Sequence, residues 1–373
     1  MKKVLIIAGE ASGDLHGSGV VRELKVKDPS VEIFGIGGDR MKSAGMETIF
    51  HVRELAVMGF LEVLKHLPVL KAVEKTLTAV IAMKKPDVLV LIDYPGFNLR
   101  FARKVRRPGM KIVYYISPQV WAWNPGRVKK MKSLIDKMLV VFPFEKEIYS
   151  RAGIDAEFVG HPILDAVSDG QDRKGFCRRY DLDDSKPVLG LFPGSRKQEI
   201  ERIFPPMLGA AGILAAKLGV QPVVGVSSLL DFEYVRGFIR EGSPVRLLQN
   251  VTHDIMRNSD LAVVTSGTAT LETGYFGTPM IVVYRTSWPT YLIGRLLIRV
   301  KNIGLVNIVA GRRIVPELIQ CRVTPQRIAL EAERMLGDEP ARKTMSADLG
   351  IIRERLGKPG ASKRVAEAIL AVA

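Results

Sequence analysis

Ten short β-rich runs recur along this 373-residue chain, and they constrain its fold more than any other feature of the sequence. Each run ends at Gly, Pro, Ser or Asp, and the segments between the runs are long enough for crossover helices. This alternation is typical of parallel sheets with helices on both faces. The sequence therefore predicts an α/β fold with strands over residues 4–8, 31–36, 88–92, 111–116, 138–142, 188–192, 223–226, 245–248, 261–264 and 280–284.

The middle of the chain lacks the pattern. Residues 166–187 are polar and dense in charge, with no apolar period, which is typical of a linker between domains. About five strands are predicted on each side of it. We therefore expect one doubly wound domain over residues 1–165 and a second over residues 188–345. Residues 346–373 are predicted to form C-terminal helices, and packing of these helices on the first domain is one possible arrangement.

The net charge restricts the partners of the chain. Lys and Arg number 55 against 39 Asp and Glu, a formal charge of +16, and the 47% hydrophobic content is ordinary for a folded protein. A strongly basic protein favours polyanions, namely nucleic acid, phosphorylated substrates or an anionic membrane surface. The charge alone does not choose among them.

Cysteine usage and hydropathy indicate the compartment. The two cysteines, Cys177 and Cys321, form neither a CxxC pair nor a disulfide framework, and there is no HExxH motif, so no metal site is expected. The longest uncharged run, residues 112–126, is too short to span a membrane and contains prolines. The start of the chain carries no cleavage site of the signal-peptide type, and we interpret it as the first strand of a cytoplasmic protein.

Two loops of the first half carry candidate chemistry. Residues 8–14, AGEASGD, follow the first strand, where glycines and a helix N-terminus suit a ligand, although a capped turn explains them about as well. Asp93 ends another strand. A carboxylate in that position can act as a general base, whereas the residues alone favour a cap or turn role somewhat more.

Two further segments of the first half combine apolar and basic residues. Residues 117–124 hold Trp121 and Trp123, and Arg and Lys residues follow, a pattern that suits sugar stacking or nucleic-acid binding as well as an aromatic core. Residues 57–71 are apolar with interspersed lysines, which fits either a segment at a membrane interface or a buried helix. Residues 292–303 are a second segment of this kind.

The second half contains two turns suited to phosphate. One is Gly194-Ser195-Arg196, where backbone donors and a guanidinium can hold a diphosphate. The other opens a helix, and Glu272, one turn into that helix, can accept hydrogen bonds from ribose hydroxyls. Together the turns favour nucleotide binding over two unrelated capped helices. The small residues of the second turn are Ser266, Gly267 and Thr268.

These motifs, in this order, resemble the lipid-A-disaccharide synthase family. The resemblance runs from the first strand to at least Asn307. One departure is mild: Ala11 stands where some members have Thr. The matching segments are AGEASGD (8–14), GIGGDRM (35–41), LAVMGFLEVL (55–64), IDYPGFN (92–98), YISPQVWAW (115–123), FPFEKEIY (142–149), FVGHPILD (158–165), LFPGSRKQEIER (191–202) and SGTATLE (266–272).

The resemblance implies a glycosyltransferase of the GT-B type, with two Rossmann-like domains facing a central cleft. Its reaction joins UDP-2,3-diacylglucosamine to 2,3-diacylglucosamine 1-phosphate with inversion, giving the β-1,6 disaccharide of lipid A and UDP. Neither a metal nor a cofactor is expected. The implied location is the cytoplasmic face of the inner membrane, where an anionic surface would be a further partner. A monomer and a homodimer both remain open.

The resemblance also implies roles for individual residues. Asp93 matches the aspartate proposed as the catalytic base, and Arg196 and Glu272 match positions associated with the UDP diphosphate and ribose. Asn307 matches a further residue on the nucleotide side. The acceptor side is implied to include Glu10, Ser12, Gly13, Asp14 and Trp121. The implied membrane patch consists of Met58, Phe60, Leu61, Val63, Leu64, Leu67, Val69 and Leu70.

Two alternatives remain open on the sequence. One is another GT-B enzyme acting on a UDP-sugar, such as an N-acetylglucosaminyltransferase or an epimerase, although the segments EASGD at residues 10–14 and SPQVWAW at residues 117–123 are not expected there. The other is a basic nucleic-acid-binding protein. It is supported only by the charge and the Trp–Lys cluster, since no known nucleic-acid-binding motif accompanies them, and nucleic acid is therefore not expected as a partner.

Overall fold

The computed structural model describes residues 1–55, 67–123, 126–167, 170–297 and 301–373, and these form two compact units. Unit 1 comprises Met1–Ala166 together with Leu356–Ala373, and unit 2 comprises Val167–Arg355. Each unit is built around its own parallel sheet.

The sheet of unit 1 has seven parallel strands in the order β3-β2-β1-β4-β5-β6-β7. Its central strands are almost wholly apolar because helices cover both faces. In β4, for example, every side chain of the sequence VLVLI is buried. The strands are β1 (Lys3–Ala8), β2 (Glu32–Gly37), β3 (Glu47–His51), β4 (Val88–Ile92), β5 (Lys111–Tyr115), β6 (Lys137–Val140) and β7 (Ala156–Phe158).

Helices follow these strands and bury their apolar faces on the sheet. Phe101 and Tyr114, both fully buried, are among the largest side chains of this core. The helices are α1 (Ala11–Lys27), α2 (Asp39–Ser43), α3 (Val52–Leu55), α4 (Leu67–Lys84), α5 (Pro95–Val105), α6 (Val120–Trp123), α7 (Arg127–Met131) and α8 (Pro143–Arg151), followed by a 3-10 turn at Pro162–Ala166.

Unit 2 repeats the design with six parallel strands in the order β10-β9-β8-β11-β12-β13. The strands are β8 (Val188–Phe192), β9 (Gln221–Val226), β10 (Arg246–Gln249), β11 (Leu261–Thr265), β12 (Met280–Tyr284) and β13 (Glu317–Ile319). The helices are α9 (Arg173–Arg179), α10 (Lys197–Leu218), α11 (Phe232–Arg236), α12 (Thr252–Asn258), α13 (Thr268–Phe276), α14 (Trp288–Leu297), α15 (Leu305–Ala310), α16 (Pro325–Gly337) and α17 (Glu339–Leu356), with a 3-10 turn at Gln320–Arg322.

The predicted α/β fold with two parallel sheets is confirmed, and each of the ten predicted strands is present within a residue or two of its expected ends. Three strands were not predicted: β3, β7 and β13. All three are short and lie at sheet edges, where one side of the strand has no neighbour and less apolar surface is buried.

The segment expected to be a linker is largely structured. Asp172 caps α9 by accepting a hydrogen bond of 2.9 Å from the Gly175 amide, and Phe176 is fully buried. Arg173 forms an ion pair of 3.0 Å with Asp260 of unit 2. From Val167 onward, the described residues of this segment therefore belong to unit 2. Its two adjacent buried apolar residues, Phe176 and Cys177, form no periodic pattern from which a helix could be predicted.

The C-terminal helices divide between the units. The α17 helix belongs to unit 2 as far as Arg355, so the unit ends ten residues beyond the expected position of 345. The last helix, α18 (Ala361–Val372), packs on α1 of unit 1, with an ion pair of 2.8 Å between Lys27 and Glu367. Asp165 caps α18 by accepting hydrogen bonds from the amides of Gly360, Ala361 and Ser362.

The length and hydropathy of a helix decide whether it can cross a bilayer. Among the helices that the structure describes, none combines the length and the apolar character that crossing a membrane requires.

Candidate active site

Both units place their predicted functional loops where the strand order reverses direction. In unit 1 this point lies between β1 and β4, and in unit 2 it lies between β8 and β11. In open parallel sheets, ligands bind at the carboxyl ends of the strands at such a switch point. The loops that begin at Gly9 and Asp93 therefore share one edge of unit 1, since Ala8 and Ile92 are paired neighbours. The turns at Gly194 and Ser266 share the corresponding edge of unit 2.

The Asp93 loop has an unusual backbone. Asp93 and Tyr94 both lie in the left-handed region, with φ of 48° and 47°, which non-glycine residues seldom adopt. The conformation is held from three sides. The Asp93 amide donates to the Tyr115 carbonyl oxygen at 3.0 Å, and the Asp93 carbonyl oxygen accepts from Asn98 Nδ2 at 2.7 Å and from the Tyr114 hydroxyl at 2.5 Å. Strain of this kind often marks functional sites.

The left-handed turn brings Tyr94 against the neighbouring loop. Its ring lies so close to Gly9 that any Cβ at that position would overlap it. A glycine is therefore required there for steric reasons. The two loops of the switch point are thus packed together, and Glu10, the next residue, is exposed beside Asp93.

The electrostatics of this edge suit proton transfer. Burial and, to a lesser extent, the nearby Glu10 carboxylate raise the pKa of the Asp93 carboxyl to about 6, while a backbone hydrogen bond from Tyr94 opposes the shift. A carboxylate with a pKa near the working pH can accept a proton and release it again. The raised pKa of Asp93 is compatible with a general base at this strand end, and the catalytic role of Asp93 stays a prediction.

The rest of the first loop divides between exposed and structural residues. Ser12 is exposed in the first turn of α1, and Gly13 is buried against Ala8. Asp14 is also buried, and its carboxylate accepts hydrogen bonds from the amides of Gly38 (2.6 Å), Arg40 (3.3 Å) and Met41 (3.0 Å).

Asp14 has a structural role in this loop, and its predicted acceptor-side role stays a prediction. Its carboxylate caps the N-terminus of α2 and ties that helix to α1, so its oxygen atoms are already engaged by the backbone.

Trp121 lies at the start of α6 and is held by a buried carboxylate. Its Nε1 donates a hydrogen bond of 3.0 Å to Glu145 Oε1, and its ring meets Phe144 edge to face. The other carboxylate oxygen of Glu145 accepts from the Phe142 amide at 3.2 Å. Burial raises the pKa of Glu145 to about 7, although these hydrogen bonds oppose it. The half-buried Trp121 therefore has a fixed orientation.

In unit 2, the turn after β8 is organised by Glu199. Its Oε2 accepts from the amides of Ser195 (2.9 Å) and Arg196 (3.2 Å), and its Oε1 lies 3.1 Å from Arg196 Nη1. Gly194, with φ of 114°, has no room for a Cβ beside this carboxylate. The Ser195 and Arg196 amides are therefore occupied by Glu199. The cationic groups of the turn are the exposed guanidinium of Arg196, which also pairs with Glu199, and the exposed Lys197.

The turn after β11 leads into α13, whose N-terminus points to the same edge. The Ser266 hydroxyl donates to the Ile303 carbonyl oxygen at 2.8 Å, and the Gly267 carbonyl oxygen accepts from Thr270. Thr268 is exposed in the first turn, where free helix N–H groups favour an anion. Glu272, one turn later, is half-buried with its Oε2 3.7 Å from His253 Nε2.

Asn307 is fully buried and supports this turn from within. Its Oδ1 accepts from the amides of Ile314 and Val315, and its Nδ2 donates to the Val315 carbonyl oxygen and to Glu317 Oε1. Glu317 in turn accepts from the Ile303 amide at 3.0 Å. Because all four hydrogen-bonding positions of the amide are used within the unit, Asn307 is part of the scaffold of this turn, and its predicted nucleotide contact stays a prediction.

The predicted membrane patch falls mostly outside the described residues. Met58, Phe60, Leu61, Val63 and Leu64 lie there, and only the backbone of Leu67 is described. Val69 is exposed at the start of α4, in keeping with its prediction. Leu70 is buried in the core of unit 1, so its predicted contact with a membrane is wrong.

Several residues that position the loops of the candidate site were not predicted from the sequence. Asn98, Tyr114, Glu145, Glu199 and Glu317 each hold a loop of the candidate site. A signal existed for two of them. Glu145 and Glu199 each stand three residues after the residue that precedes a helix, the position from which Glu caps helix N-termini.

Solved structures of similar fold define the class. The Staphylococcus aureus MnaA–UDP structure matches with a TM-score of 0.67 at 15% identity, covering 100% of this chain and 98% of that one. The UDP-GlcNAc 2-epimerase of Neisseria meningitidis, bound to UDP-GlcNAc, gives 0.64 at 13%, with 99% and 100% coverage. CalG4, the calicheamicin glycosyltransferase, gives 0.62 at 16%, with 100% and 98% coverage. The chain has the GT-B fold of such glycosyltransferases and epimerases.

Sequence comparison specifies the family within that class. The family model of lipid-A-disaccharide synthetase matches residues 4–371. The lipid-A-disaccharide synthase of Geobacter metallireducens is 46% identical over 371 residues, which is 99% of this chain and 97% of the relative. That of Syntrophus aciditrophicus is 45% identical over 368 residues, with 98% and 96% coverage. The chain belongs to the lipid-A-disaccharide synthase family.

The family match confirms the resemblance noted in the sequence. The protein is a glycosyltransferase of lipid A disaccharide synthesis, and its family implies a UDP-sugar and a lipid acceptor as substrates. This identification takes precedence over the alternatives of an epimerase and a nucleic-acid-binding protein.

Proposed function

We propose that the chain transfers 2,3-diacylglucosamine from its UDP derivative to the 6-hydroxyl of 2,3-diacylglucosamine 1-phosphate, with inversion. The observation that carries the proposal is the different chemistry at the two switch points. Unit 1 has a carboxylate with a pKa of about 6, and unit 2 has a guanidinium and a helix N-terminus. The first suits a hydroxyl that must lose a proton, and the second suits a diphosphate that leaves as an anion.

Asp93 is assigned as the general base. Its carboxylate takes the proton of the acceptor 6-hydroxyl as that oxygen bonds to the anomeric carbon of the donor. The bond from that carbon to the diphosphate oxygen breaks at the same time, and its electron pair leaves with UDP. Support comes from the raised pKa and from the backbone of Asp93, which Asn98 and Tyr114 hold in place. A single displacement of this kind inverts the anomeric centre.

Groups of unit 2 are assigned to stabilise the negative charge on the departing UDP. Arg196 is exposed at the turn after β8, and the N-terminus of α13, with Ser266, Gly267 and Thr268, adds backbone donors. Glu272 is assigned to the ribose hydroxyls. We propose that these groups act without a metal ion. In support, fixed cations and N–H dipoles can stabilise a leaving diphosphate in a site from which water is excluded.

The acceptor is assigned to unit 1. Glu10 and Ser12 are exposed on the loop that shares a sheet edge with the Asp93 loop, and Trp121 offers a ring of fixed orientation for a sugar face. We further propose that the enzyme works at the cytoplasmic face of the inner membrane as a peripheral protein. Both substrates carry acyl chains, and the +16 charge of the chain attracts anionic headgroups.

The deciding experiment supplies both proposed substrates to the purified protein in detergent with EDTA and follows UDP and the disaccharide by mass spectrometry. Disaccharide formation supports the substrate pair and the metal-independent mechanism together. If activity needs added Mg²⁺, the metal-independent assignment fails while the substrate pair stands. Release of UDP without disaccharide overturns the acceptor assignment, and no UDP under either condition overturns the donor assignment.

Two variants test the assigned base. Asp93→Asn keeps the size of the side chain but cannot accept the proton, so we expect turnover to fall by at least about a hundredfold, since general-base catalysis contributes about 10²–10⁴-fold. Asp155→Asn, at an exposed aspartate of unit 1, is the matched control and should leave turnover unchanged. Near-normal turnover of Asp93→Asn would remove Asp93 from the mechanism.

A further inference from the structure

Helix α14 exposes large apolar side chains along one face. The exposed fractions are 57% for Trp288, 57% for Leu292 and 86% for Leu296. Because these residues are spaced four apart, they lie on the same side of the helix. Helices at the surface of a globular protein normally turn such a stripe toward the core. The face Trp288–Leu292–Leu296 instead points to solvent, and exposed apolar surface of this size marks an interaction site.

The sequence on both sides of this face carries charge of one sign. No Asp or Glu occurs between Glu272 and Glu317, and six Lys and Arg residues do. Arg285 precedes the helix, Arg295 lies on it and Lys301 follows it, and all three are exposed. An apolar stripe on a helix with basic residues nearby is the pattern of a segment that lies in the interface of an anionic membrane.

The face also lies at the nucleotide edge of unit 2. Helix α14 follows β12, which ends at Tyr284 on the same edge as the turns after β8 and β11. The segment after the helix returns to that edge, where the Ile303 carbonyl oxygen accepts from the Ser266 hydroxyl. A surface bound along α14 would therefore be close to the nucleotide turn.

We propose that the Trp288–Leu292–Leu296 face inserts into the headgroup layer of an anionic bilayer and seats unit 2 on the membrane. The occupant is a lipid surface rather than a protein because the flanking charge is uniformly basic. The inference rests on the proposed function in one respect, namely that the acylated donor is a membrane lipid. Membrane contact close to the proposed nucleotide turn would let the acyl chains of the donor stay in the bilayer while its UDP group is bound. The proposed membrane contact lies on unit 2 and is separate from the membrane patch that the resemblance implies within residues 57–70.

The test measures binding of the full chain to vesicles of equal parts phosphatidylglycerol and phosphatidylethanolamine. We expect Leu292→Ser/Leu296→Ser to bind at least about fivefold more weakly than the unmodified protein, because each buried leucine contributes substantially to partitioning. Leu330→Ser is the matched control, since Leu330 is 67% exposed on α16 of the same unit and should not matter. Binding of the double variant within twofold of this control overturns the proposal.

Two further readouts identify the occupant. Trp288 is the only tryptophan of unit 2, so vesicles should shift its fluorescence to the blue, and the shift should be absent from Trp288→Phe. Arg295→Gln should weaken binding to the anionic vesicles about fivefold but not change binding to phosphatidylcholine vesicles. If instead the double variant converts a dimer to a monomer in sedimentation and still binds vesicles, the face is an interface between copies and the proposal is overturned.

UDP binding, measured by calorimetry on the same preparations, separates this inference from the proposed function. The double variant should bind UDP as the unmodified protein does. If neither protein binds UDP, the proposed donor site fails, and the vesicle measurement still decides the membrane contact. Equal melting temperatures of the variants and the unmodified protein show that the exposed substitutions leave the fold intact.

Discussion

The side-chain amide of Asn98 donates a hydrogen bond of 2.7 Å to the backbone carbonyl oxygen of Asp93. Asn98 lies in the first turn of α5 and is fully buried, so the helix that follows the loop fixes the loop itself. The Tyr114 hydroxyl reaches the same oxygen from β5. The left-handed conformation of Asp93 is therefore held by two neighbouring elements, as strained functional residues require.

Removal of this amide should impair both turnover and stability. We expect Asn98→Ala to lower kcat about tenfold to a hundredfold, because the Asp93 carboxylate loses its fixed position, and to destabilise the fold by about 1–3 kcal/mol. Steady-state kinetics and thermal unfolding measure the two effects. Asn258→Ala, at a buried asparagine of unit 2 that donates to two carbonyl oxygens, is the control. It should be destabilised similarly and keep its kcat, and an equal loss of kcat in both variants would argue against a positioning role.

The pH profile should report the Asp93 carboxyl. A base with a pKa of about 6 is protonated below that pH, so kcat/KM should rise with pH through 6 and then level off. Glu10→Gln removes the negative charge that helps raise this pKa, and we expect the acidic limb to move to lower pH. Rate measurements between pH 4.5 and 8 test both statements. A limb that stays in place in Glu10→Gln would show that Glu10 does not act on the titrating group.

The same raised pKa has a consequence for stability. The folded carboxyl binds its proton more tightly than the unfolded one, whose pKa is near 3.8, so folding stability falls as pH rises from about 4 through about 6 and stays lower above. Asp93→Asn removes this penalty. We expect the variant to be more stable than the unmodified protein at pH 8, by on the order of 2 kcal/mol, and nearly equal at pH 4.

Chemical denaturation at the two pH values measures this difference. If Asp93→Asn shows no gain at pH 8, the carboxylate is not destabilised by burial in the folded protein, and its assignment as a base with a raised pKa loses its support.

Arg196 should carry much of the affinity for UDP. Glu199 occupies the Ser195 and Arg196 amides, and the exposed guanidinium, which donates one hydrogen bond to Glu199, keeps further N–H donors for a diphosphate. We expect Arg196→Ala to weaken UDP binding about tenfold to a hundredfold, and Arg196→Lys to recover only part of the loss, since an ammonium cannot form two parallel hydrogen bonds. Calorimetry with Arg334→Ala, an exposed arginine on α16, as control tests this. Equal affinities would remove Arg196 from the diphosphate site.

The sequence predicted the architecture because it depends on local pattern. Runs such as residues 88–92 are buried on both faces and are apolar throughout, so they could be recognised without any knowledge of their neighbours. The edge strand β3, with the sequence ETIFH, buries too little to show the pattern. Asp93 could likewise be singled out because it directly follows such a buried run.

Side-chain partners distant in sequence could not be predicted in the same way. Asp14 caps a helix 24 residues and more further along the chain, and Trp121 pairs with Glu145 over the same separation. Asn307 was assigned to the nucleotide from its resemblance, whereas its amide is used within the fold. In each case the hydrogen-bond partner, rather than the residue type, decides between a binding and a scaffold role.

Asn307 connects the core of unit 2 to the nucleotide turn through a chain of hydrogen bonds. It donates to Glu317, which accepts from the Ile303 amide, and the Ile303 carbonyl oxygen accepts from Ser266. Loss of one member leaves buried polar groups unpaired, which costs about 1–3 kcal/mol for each group. We therefore expect Asn307→Ala to lower the melting temperature and to weaken UDP binding together.

Ser266→Ala separates these two effects. It removes only the last hydrogen bond of the chain, at a half-buried hydroxyl, so it should weaken UDP binding severalfold with little change in melting temperature. If the network transmits the effect of Asn307, the double variant Asn307→Ala/Ser266→Ala should bind UDP no more weakly than Asn307→Ala alone, since residues of one network are not additive. Additive losses of affinity, measured by calorimetry, would instead mean that Asn307 contacts the nucleotide independently of Ser266.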